Sequence, residues 1–429
     1  MFNCTQRRHP APAVSCVEIT IPVAGVSVAH VKLDIEQVPI GACCAADILD
    51  DQGRVLVGKG ETLTQEVVDG LRSRGVTSLN LSESDLALLT GKKHSRSTEA
   101  RSATIPSTRV RVDRSGEAYS SERKEKFAQT LSGTLSLIES LASQLDDPST
   151  ENLTQLAQVP HAFQEMLFED SDQSISTSVD SPKDSLGARS VHFALLAMAV
   201  GIEQQLPEDD IILLGKAGLL HDLGLYRLPA HFRDPSRTLN YEEAAQFRKH
   251  PEISAELLGD FPFISDELRV LIQQVHELPD GGGYPRGLKA HRFHRLTCIL
   301  SLAELYVALT HRGSGRPPLA PYDVIRYLLF RCRDGQVDSA ALRALINQFT
   351  LYGIGSPVHI SDGAQALVLR RDANHFDLPV VEIDRDGEPE MVRLSQTKLT
   401  ISGPHRSSQQ MHLDRSLAEN VSLGDLLFL

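Results

Sequence analysis

The sequence predicts a multidomain chain, with a central all-α domain between a small α+β module and a small C-terminal β unit. Three observations predict it. Apolar residues recur at helical spacing from Phe127 to Phe349. Hairpin signals of the Asp-Gly kind stand on either side of that stretch. A run rich in Ser, Thr, Arg and Lys separates the first module from the middle. At 429 residues the chain has room for more than one domain and for a large core.

Taken in order, residues 1–28 show no clear period and read as a flexible arm. Residues 29–90 read as the α+β module. The pattern turns β-like at Val31. Ala45 to Leu49 and Arg54 to Val57 flank the turn residues Asp50-Asp51-Gln52-Gly53. Thr64 can cap a short helix with Val67, Val68 and Leu71 on one face, and Gly75 ends it. Val76 to Leu81 is a further strand. Such a module is either regulatory or a packing appendage. Residues 91–126 hold few large apolar side chains and read as a linker.

The helical domain is expected over 127–350. Phe127, Leu131, Leu135, Ile138, Leu141 and Leu145 form one helical face, which suits core packing or a dimer seam. A second helix is expected from Glu151 to Phe168, followed by a polar loop from Ser171 to Asp184. In residues 351–429, Val358 to Ile360 and Ala366 to Leu369 flank Ser361-Asp362-Gly363. Val380 to Ile383 and Met391 to Leu394 flank a second turn containing Asp386-Gly387.

Composition narrows the function. The 43 basic and 56 acidic residues leave a net charge of −13, which disfavours a nucleic-acid coat and hence a DNA partner. The 6 Cys include no Cys-x-x-Cys pair and read as free thiols in a reducing, cytoplasmic compartment. Adjacent Cys43 and Cys44 read as half-buried strand residues. No run of about 18 uninterrupted apolar residues occurs, so no membrane span is expected. The start, Met1 to His9, makes a poor signal peptide.

The chemistry centres on His221-Asp222, at the end of an apolar helical run. Neighbouring imidazole and carboxylate can converge on one divalent cation, and the carboxylate can bridge to a second. Alone, such a pair is better explained by chance packing or capping. It is joined here by His250-Pro251-Glu252, by His276-Glu277, by Gly283-Tyr284-Pro285 with Arg286, and by Glu304 in an apolar run.

These motifs together resemble the HD-GYP family, which hydrolyses the bacterial second messenger cyclic di-GMP at a metal centre. The resemblance covers roughly Phe127 to Phe349. It implies an all-α HD-type domain with His221, Asp222, His250, His276 and Glu304 as metal ligands, and His221 and Asp222 as the catalytic pair. It also implies that Gly283, Tyr284, Pro285 and Arg286 shape the ligand pocket, although Gly and Pro specify turns anyway. The implied metal is iron, manganese or zinc. The implied ligand is cyclic di-GMP or a related cyclic dinucleotide. A diguanylate cyclase or a second copy of the chain are further partners to consider.

The chain departs from the family pattern at several places. The family's first ligand His would stand 32 residues before His221, where this chain has Arg189. His192 lies one turn on, displaced by about 60° and 4.5 Å, which makes a simple ligand swap difficult. The first His of the family's His-His-Glu is Val275, and its last Asp ligand is Glu304, one methylene longer. A Glu found in some members one turn before the first His is Ser185. The Lys that commonly follows His-Asp near the substrate phosphate is Leu225, with Arg227 as a possible stand-in. Two half-sites remain: His221, Asp222 and Glu304, and Asp222, His250 and His276. Arg189 can pair with Asp222 or Glu304 in the place of a metal. The expectation is a degenerate site that binds nucleotide or a protein partner with reduced or absent hydrolysis. The alternative is a working metal-dependent phosphodiesterase.

Overall fold

In the computed structural model of the chain, the described residues are 112–421, apart from 145–149, 180–184, 260, 262–263, 314, 373–374, 386, 415–417 and 420. Before them the described segments are 18–19, 30–35, 48–49, 55–57, 65–74, 76 and 78–82. The chain divides into two compact units, Met1–Arg101 and Ser102–Leu429.

In the first unit the described segments are the strands β1 (Glu18–Ile19), β2 (His30–Asp34), β3 (Ile48–Leu49), β4 (Val55–Val57) and β5 (Ser78–Ser82), and the helix α1 (Gln65–Ser73). The strands lie in the order β1-β2-β5-β3-β4. The longest pairing sets His30 opposite Ser82 and Asp34 opposite Ser78, antiparallel. Val68 and Leu71 of α1 are buried. Cys43, Cys44, the turn Asp50 to Gly53, the cap Thr64 and the stop Gly75 lie outside the described residues. So do nearly all of the arm and most of the linker.

The second unit begins with helices: α2 (Ser121–Ser143), α3 (Thr150–Val179), α4 (Leu186–Glu203), α5 (Glu208–Leu220), α6 (Tyr241–Phe247), α7 (His250–Leu257), α8 (Asp266–Gln274), α9 (Thr297–Thr310), α10 (Pro321–Arg333) and α11 (Ser339–Phe349). Its hub is α4, buried almost throughout and packed against α3, α5, α9 and α11. By length and composition α4 could cross a membrane, but 78% of it is buried in this core. Glycines let α5 press close. A Cβ at Gly218 would stand 2.6 Å from Ala194 Cα, and one at Gly215 would stand 2.8 Å from Pro160 Cβ. This packing holds the end of α5, and with it His221, against α4. Phe127, Leu131, Ile138 and Leu141 of α2 join the same core, so that face is not a free dimer seam. Leu145 lies outside the described residues.

Two helix boundaries differ from expectation. Helix α2 starts at Ser121, inside the stretch that composition assigned to the linker. Its charged first turn is capped by Ser120, whose side chain accepts from Arg123 N. Helix α3 runs through the expected loop as far as Val179, with a break at Asp170 (φ −158°, ψ 90°). There the Asp170 side chain accepts from Gln173 N at 3.1 Å and restarts the helix. The polar residues beyond it are buried and used. Gln173 Nε2 donates to Ser120 O at 2.5 Å, and Gln348 donates to Ser171 Oγ at 2.6 Å. Polarity marked a buried seam here, not a solvated loop. The rest of the expected loop, 180–184, lies outside the described residues.

The C-terminal unit is an antiparallel sheet of β6 (Pro357–Ile360), β7 (Gln365–Asp372), β8 (His375–Arg385), β9 (Glu388–Arg393) and β10 (Ile401–Pro404), in the order β10-β6-β7-β8-β9. Both expected hairpins occur, with Gly363 (φ 93°) and Gly387 (φ 87°) at their turns. Asp386 lies outside the described residues. The sheet is fastened to the helices by Arg370. Its Nη atoms donate to Asp170 at 2.8 and 2.9 Å, and its Nε donates to Glu117 O at 2.6 Å. Its guanidinium also lies 4.5 Å from the centre of the Tyr119 ring. Arg406 and Asp323 make a second two-pronged pair, at 2.8 Å for each bond.

Candidate metal centre

Five elements bring the expected ligands together. Helix α5 ends at His221, Asp222 follows, and a 3₁₀ turn over Leu223–Tyr226 turns the chain away. His250 opens α7, His276 follows α8, and Glu304 lies within α9. Arg189 stands near the start of α4. Gly224 permits the turn, because a Cβ there would stand 2.4 Å from His250 O. Ser254 Oγ accepts from Gly224 N at 2.8 Å and donates to His221 O, tying α7 to the His-Asp turn.

Donor atoms of His221, His276 and Glu304 lie within 4.8 Å of one another, as do those of Asp222, His250 and His276. The second set is the one the sequence suggested. In the first, His276 stands in place of Asp222, so His276 belongs to both. His250 Nε2 is 2.9 Å from His276 Nε2 and 3.2 Å from Asp222 Oδ1. Atoms bonded to one small divalent ion at about 2.1 Å stand roughly 3 to 3.5 Å apart, so this spacing suits shared coordination.

The imidazoles are also oriented for it. His221 Nδ1 faces Gly218 O at 2.9 Å, and His250 Nδ1 faces Phe247 O at 2.8 Å. A proton on each Nδ1 leaves Nε2 as the ligand atom. His221 Nε2 is buried without a hydrogen-bond partner, 3.2 Å from Asp222 Oδ1 and 3.6 Å from Glu304 Oε2. An orphaned nitrogen facing two carboxylates calls for a proton or a metal ion. Each set offers three protein ligands, the number typical of open catalytic sites, so the residues fit a divalent ion.

Charge shifts follow from this crowding. Burial alone would raise Asp222, but His221, His250 and Arg189 outweigh it and hold the carboxyl below its ordinary range. Burial would lower His221, yet Asp222 and Glu304 push it above its ordinary value. Burial, then His250 and His221, push His276 well down and keep its lone pair available.

Arg189 reaches the same space. Its Nη2 is 3.6 Å from Glu304 Oε1, and its Nε is buried without a hydrogen-bond partner. His192 turns elsewhere. It is buried against His311, with ring centres 5.3 Å apart, in a separate cavity bordered by Tyr322 and His405. It belongs to neither ligand set.

The Gly283-Tyr284-Pro285 loop closes one wall. A Cβ at Gly283 would stand 2.4 Å from His276 O and from Leu278 N, so only glycine fits. Tyr284 N donates to His276 O at 3.0 Å, and the Tyr284 ring stacks on His276 at 4.6 Å and 9°. Burial, then Glu304 and Asp222, push the Tyr284 hydroxyl well above its ordinary value. Of the four residues expected to shape the pocket, Tyr284 lines the cleft. Arg286 is turned outward, toward Glu252 (3.8 Å) and Gln273 (3.5 Å).

Comparison with known proteins identifies the helical region. Residues 173–340 match the family model described as HD domain. A cyclic di-GMP phosphodiesterase of Pseudomonas aeruginosa is 27% identical over 195 residues, 45% of this chain and 46% of that protein. Another from Borreliella burgdorferi is 24% identical over 192 residues, 45% of this chain and 50% of that one. The helical region is an HD domain of the HD-GYP family. The match spans about half the length of these curated relatives. A solved HD-GYP-type protein from Bdellovibrio bacteriovorus overlays with a TM-score of 0.45 at 14% identity, over 74% of this chain and 98% of that one.

Around these residues the HD-GYP domain opens a cleft. Its lining includes Leu225 and the arginines Arg189, Arg233, Arg237, Arg312 and Arg316. Arg227, the suggested stand-in for a Lys at 225, is exposed and is not among the lining residues. Sequence reasoning singled out Arg189 but missed Arg233, Arg237, Arg312 and Arg316, which stand between the long helices and follow no apolar period. It also missed Glu277 as a structural clamp. That side chain is fully buried and accepts from Arg286 N at 2.8 Å and Leu288 N at 2.7 Å, which pins the Tyr284 loop. Its place directly after His276 was the available signal.

Proposed function

We propose that this chain is a cyclic di-GMP signalling protein whose HD-GYP domain retains the ligand cleft but holds metal weakly, with reduced or absent hydrolysis. The observation that carries this is Arg189. Its guanidinium stands 3.6 Å from Glu304 Oε1, beside the carboxylate that the His221, His276 and Glu304 set would offer a cation. A fixed positive charge there repels a divalent ion and already serves the carboxylate. Domain assignments follow the same reading: a helical HD-GYP domain over 127–350, an α+β regulatory or docking module over 29–90, and a β-rich unit over 351–429. The setting is the bacterial cytoplasm, and a diguanylate cyclase or a second copy of the chain is a candidate partner.

The second reading is an active phosphodiesterase, with His221, Asp222, His250, His276 and Glu304 around iron, manganese or zinc. The orphaned Nε2 of His221 and the 2.9 Å approach of His250 to His276 favour it. A divalent ion held there would acidify a bound water and neutralise phosphodiester oxygens.

Elemental analysis of the purified chain, with a cyclic di-GMP titration and a hydrolysis assay on the same sample, separates the two. Saturable binding with little metal and little turnover supports the first reading. Near-stoichiometric metal with steady turnover supports the second.

A further inference from the structure

The cleft walls carry more positive charge than the protein itself uses. Of the acidic lining groups, Asp222 is engaged by imidazoles, and Glu304 lies beside His221 and Arg189. Asp234 accepts from the Ser236 amide at 2.9 Å and hydroxyl at 2.6 Å. Two of the arginines are likewise occupied. Arg237 pairs with Glu243 at 2.5 Å, and Arg316 is buried and donates to the carbonyls of Ala308, Leu309, His311 and Pro317.

Two arginines are left with donors to spare. Among the described residues Arg233 bonds only through Nη1, which donates to Leu225 O at 2.7 Å and Leu228 O at 2.9 Å. Its guanidinium also lies 5.1 Å from the centre of the Tyr226 ring. It therefore returns a cation to the backbone of Leu225 from eight residues further along the chain. Arg312 is exposed at the cleft and makes no hydrogen bond or ion pair with the described residues.

These two arginines come from loops that are clipped together. Gly315 N donates to Pro235 O at 3.0 Å, and a Cβ at Gly315 (φ 78°) would stand 2.6 Å from Thr238 Oγ1. A tight turn then closes between Gly313 and Arg316, whose backbones exchange bonds of 2.7 and 3.2 Å. The clip fixes the base of the Arg312 loop against the Arg233 loop. In a chain of net charge −13, a cleft with two spare guanidiniums is a local inversion of sign.

We infer that Arg233 and Arg312 form a phosphate-binding rim that holds a phosphorylated ligand in this cleft independently of any bound metal. Guanidinium presents paired N–H donors that match phosphate oxygens. This inference rests on the cyclic-dinucleotide reading for the identity of the ligand, but not for its phosphate.

The test is equilibrium binding of the full chain to two probes, cyclic di-GMP and inorganic pyrophosphate, across a range of salt. Arg312→Gln is the decisive variant, because an exposed side chain without partners among the described residues can be removed without disturbing the fold. Arg233→Gln and the conservative Arg312→Lys accompany it. Each Gln variant is expected to bind either probe roughly tenfold more weakly, as for a lost hydrogen bond to a charged group. Salt dependence should flatten, and Arg312→Lys should recover part of the loss. Unchanged affinity for both probes in both Gln variants overturns the rim and leaves the cyclic-dinucleotide reading standing. Arginine-dependent binding of pyrophosphate without cyclic di-GMP keeps the rim and overturns that reading. Binding of neither probe by the wild type overturns both.

Discussion

Asp170 and Asp222 are both buried aspartates in one helical core, and their charges are met in different ways. Asp170 receives two parallel bonds from Arg370, at 2.8 and 2.9 Å, with Arg123 a further 3.5 Å away. Among the described residues Asp222 has no guanidinium in hydrogen-bond contact. Its neighbours are His221 and His250, each at 3.2 Å, and both have ring nitrogens suited to metal coordination. A permanent cation with matched geometry makes a fixed joint between helix α3 and strand β7. Imidazoles, which can hold or release a proton, make a site whose charge depends on what is bound. The first arrangement is architecture, and the second is a set of groups that could hold a metal ion.

The largest effect should come from breaking the fixed joint. Arg370→Met leaves Asp170 buried without its main partner and should cost about 3–5 kcal/mol of stability. Denaturant unfolding of the Arg370→Met chain and of a double variant with Asp170→Asn would measure it. The double variant should recover a large part of the loss. If the single variant unfolds like wild type, Arg370 is not the fastening.

Gly283→Ala comes next. The added methyl meets backbone on two sides, so it should cost about 2 kcal/mol, in the range for overpacking, and push Tyr284 off His276. Wild-type stability together with unchanged cyclic di-GMP affinity would show that the loop does not depend on that close fit.

Asp222→Asn sharpens the comparison from the other side. Without metal, the substitution should leave stability within about 1 kcal/mol of wild type, because it removes a buried charge rather than stranding one. It should abolish metal uptake by the Asp222, His250 and His276 set. A loss as large as that of Arg370→Met would make Asp222 as architectural as Asp170.

The smallest effect concerns acid. Asp372 is held down at about 2, first by the Arg393 hydrogen bonds, against burial, and then by Ser395. A carboxyl with a depressed folded value stabilises the fold above its unfolded value near 3.9 and loses that contribution as pH falls through about 2. The step between pH 4 and 2 should shrink in Asp372→Asn. Identical acid profiles for the two chains would refute the assignment.

Much of this was legible in the residues, for identifiable reasons. His221-Asp222, His250, His276 and Gly283-Tyr284-Pro285 are consecutive motifs, so their chemistry survives without coordinates. The helical domain announced itself through apolar period, and the C-terminal hairpins through Asp-Gly turns. What stayed hidden depends on tertiary contact. Ser171 to Thr177 looked like a loop because polar side chains buried in a seam carry the same composition as solvated ones. Arg233 and Arg312 were invisible because their significance lies in what their loops face. That His276 serves both ligand sets, and that His192 looks into another cavity, depends on helix orientation, which spacing alone does not supply.

The central claim is that Arg189 stands beside the carboxylate that the site would offer a cation and that its charge keeps metal occupancy low. The most direct measurement is metal content per chain for wild type, Arg189→His, and Arg189→His with Val275→His, after identical exposure to iron, manganese and zinc. Restoring an imidazole in each half of the site should raise metal binding stepwise, from little in wild type to the most in the double variant. Cyclic di-GMP hydrolysis should rise with it. Near-stoichiometric metal in wild type, with turnover equal to that of the double variant, would contradict the account and establish a working enzyme.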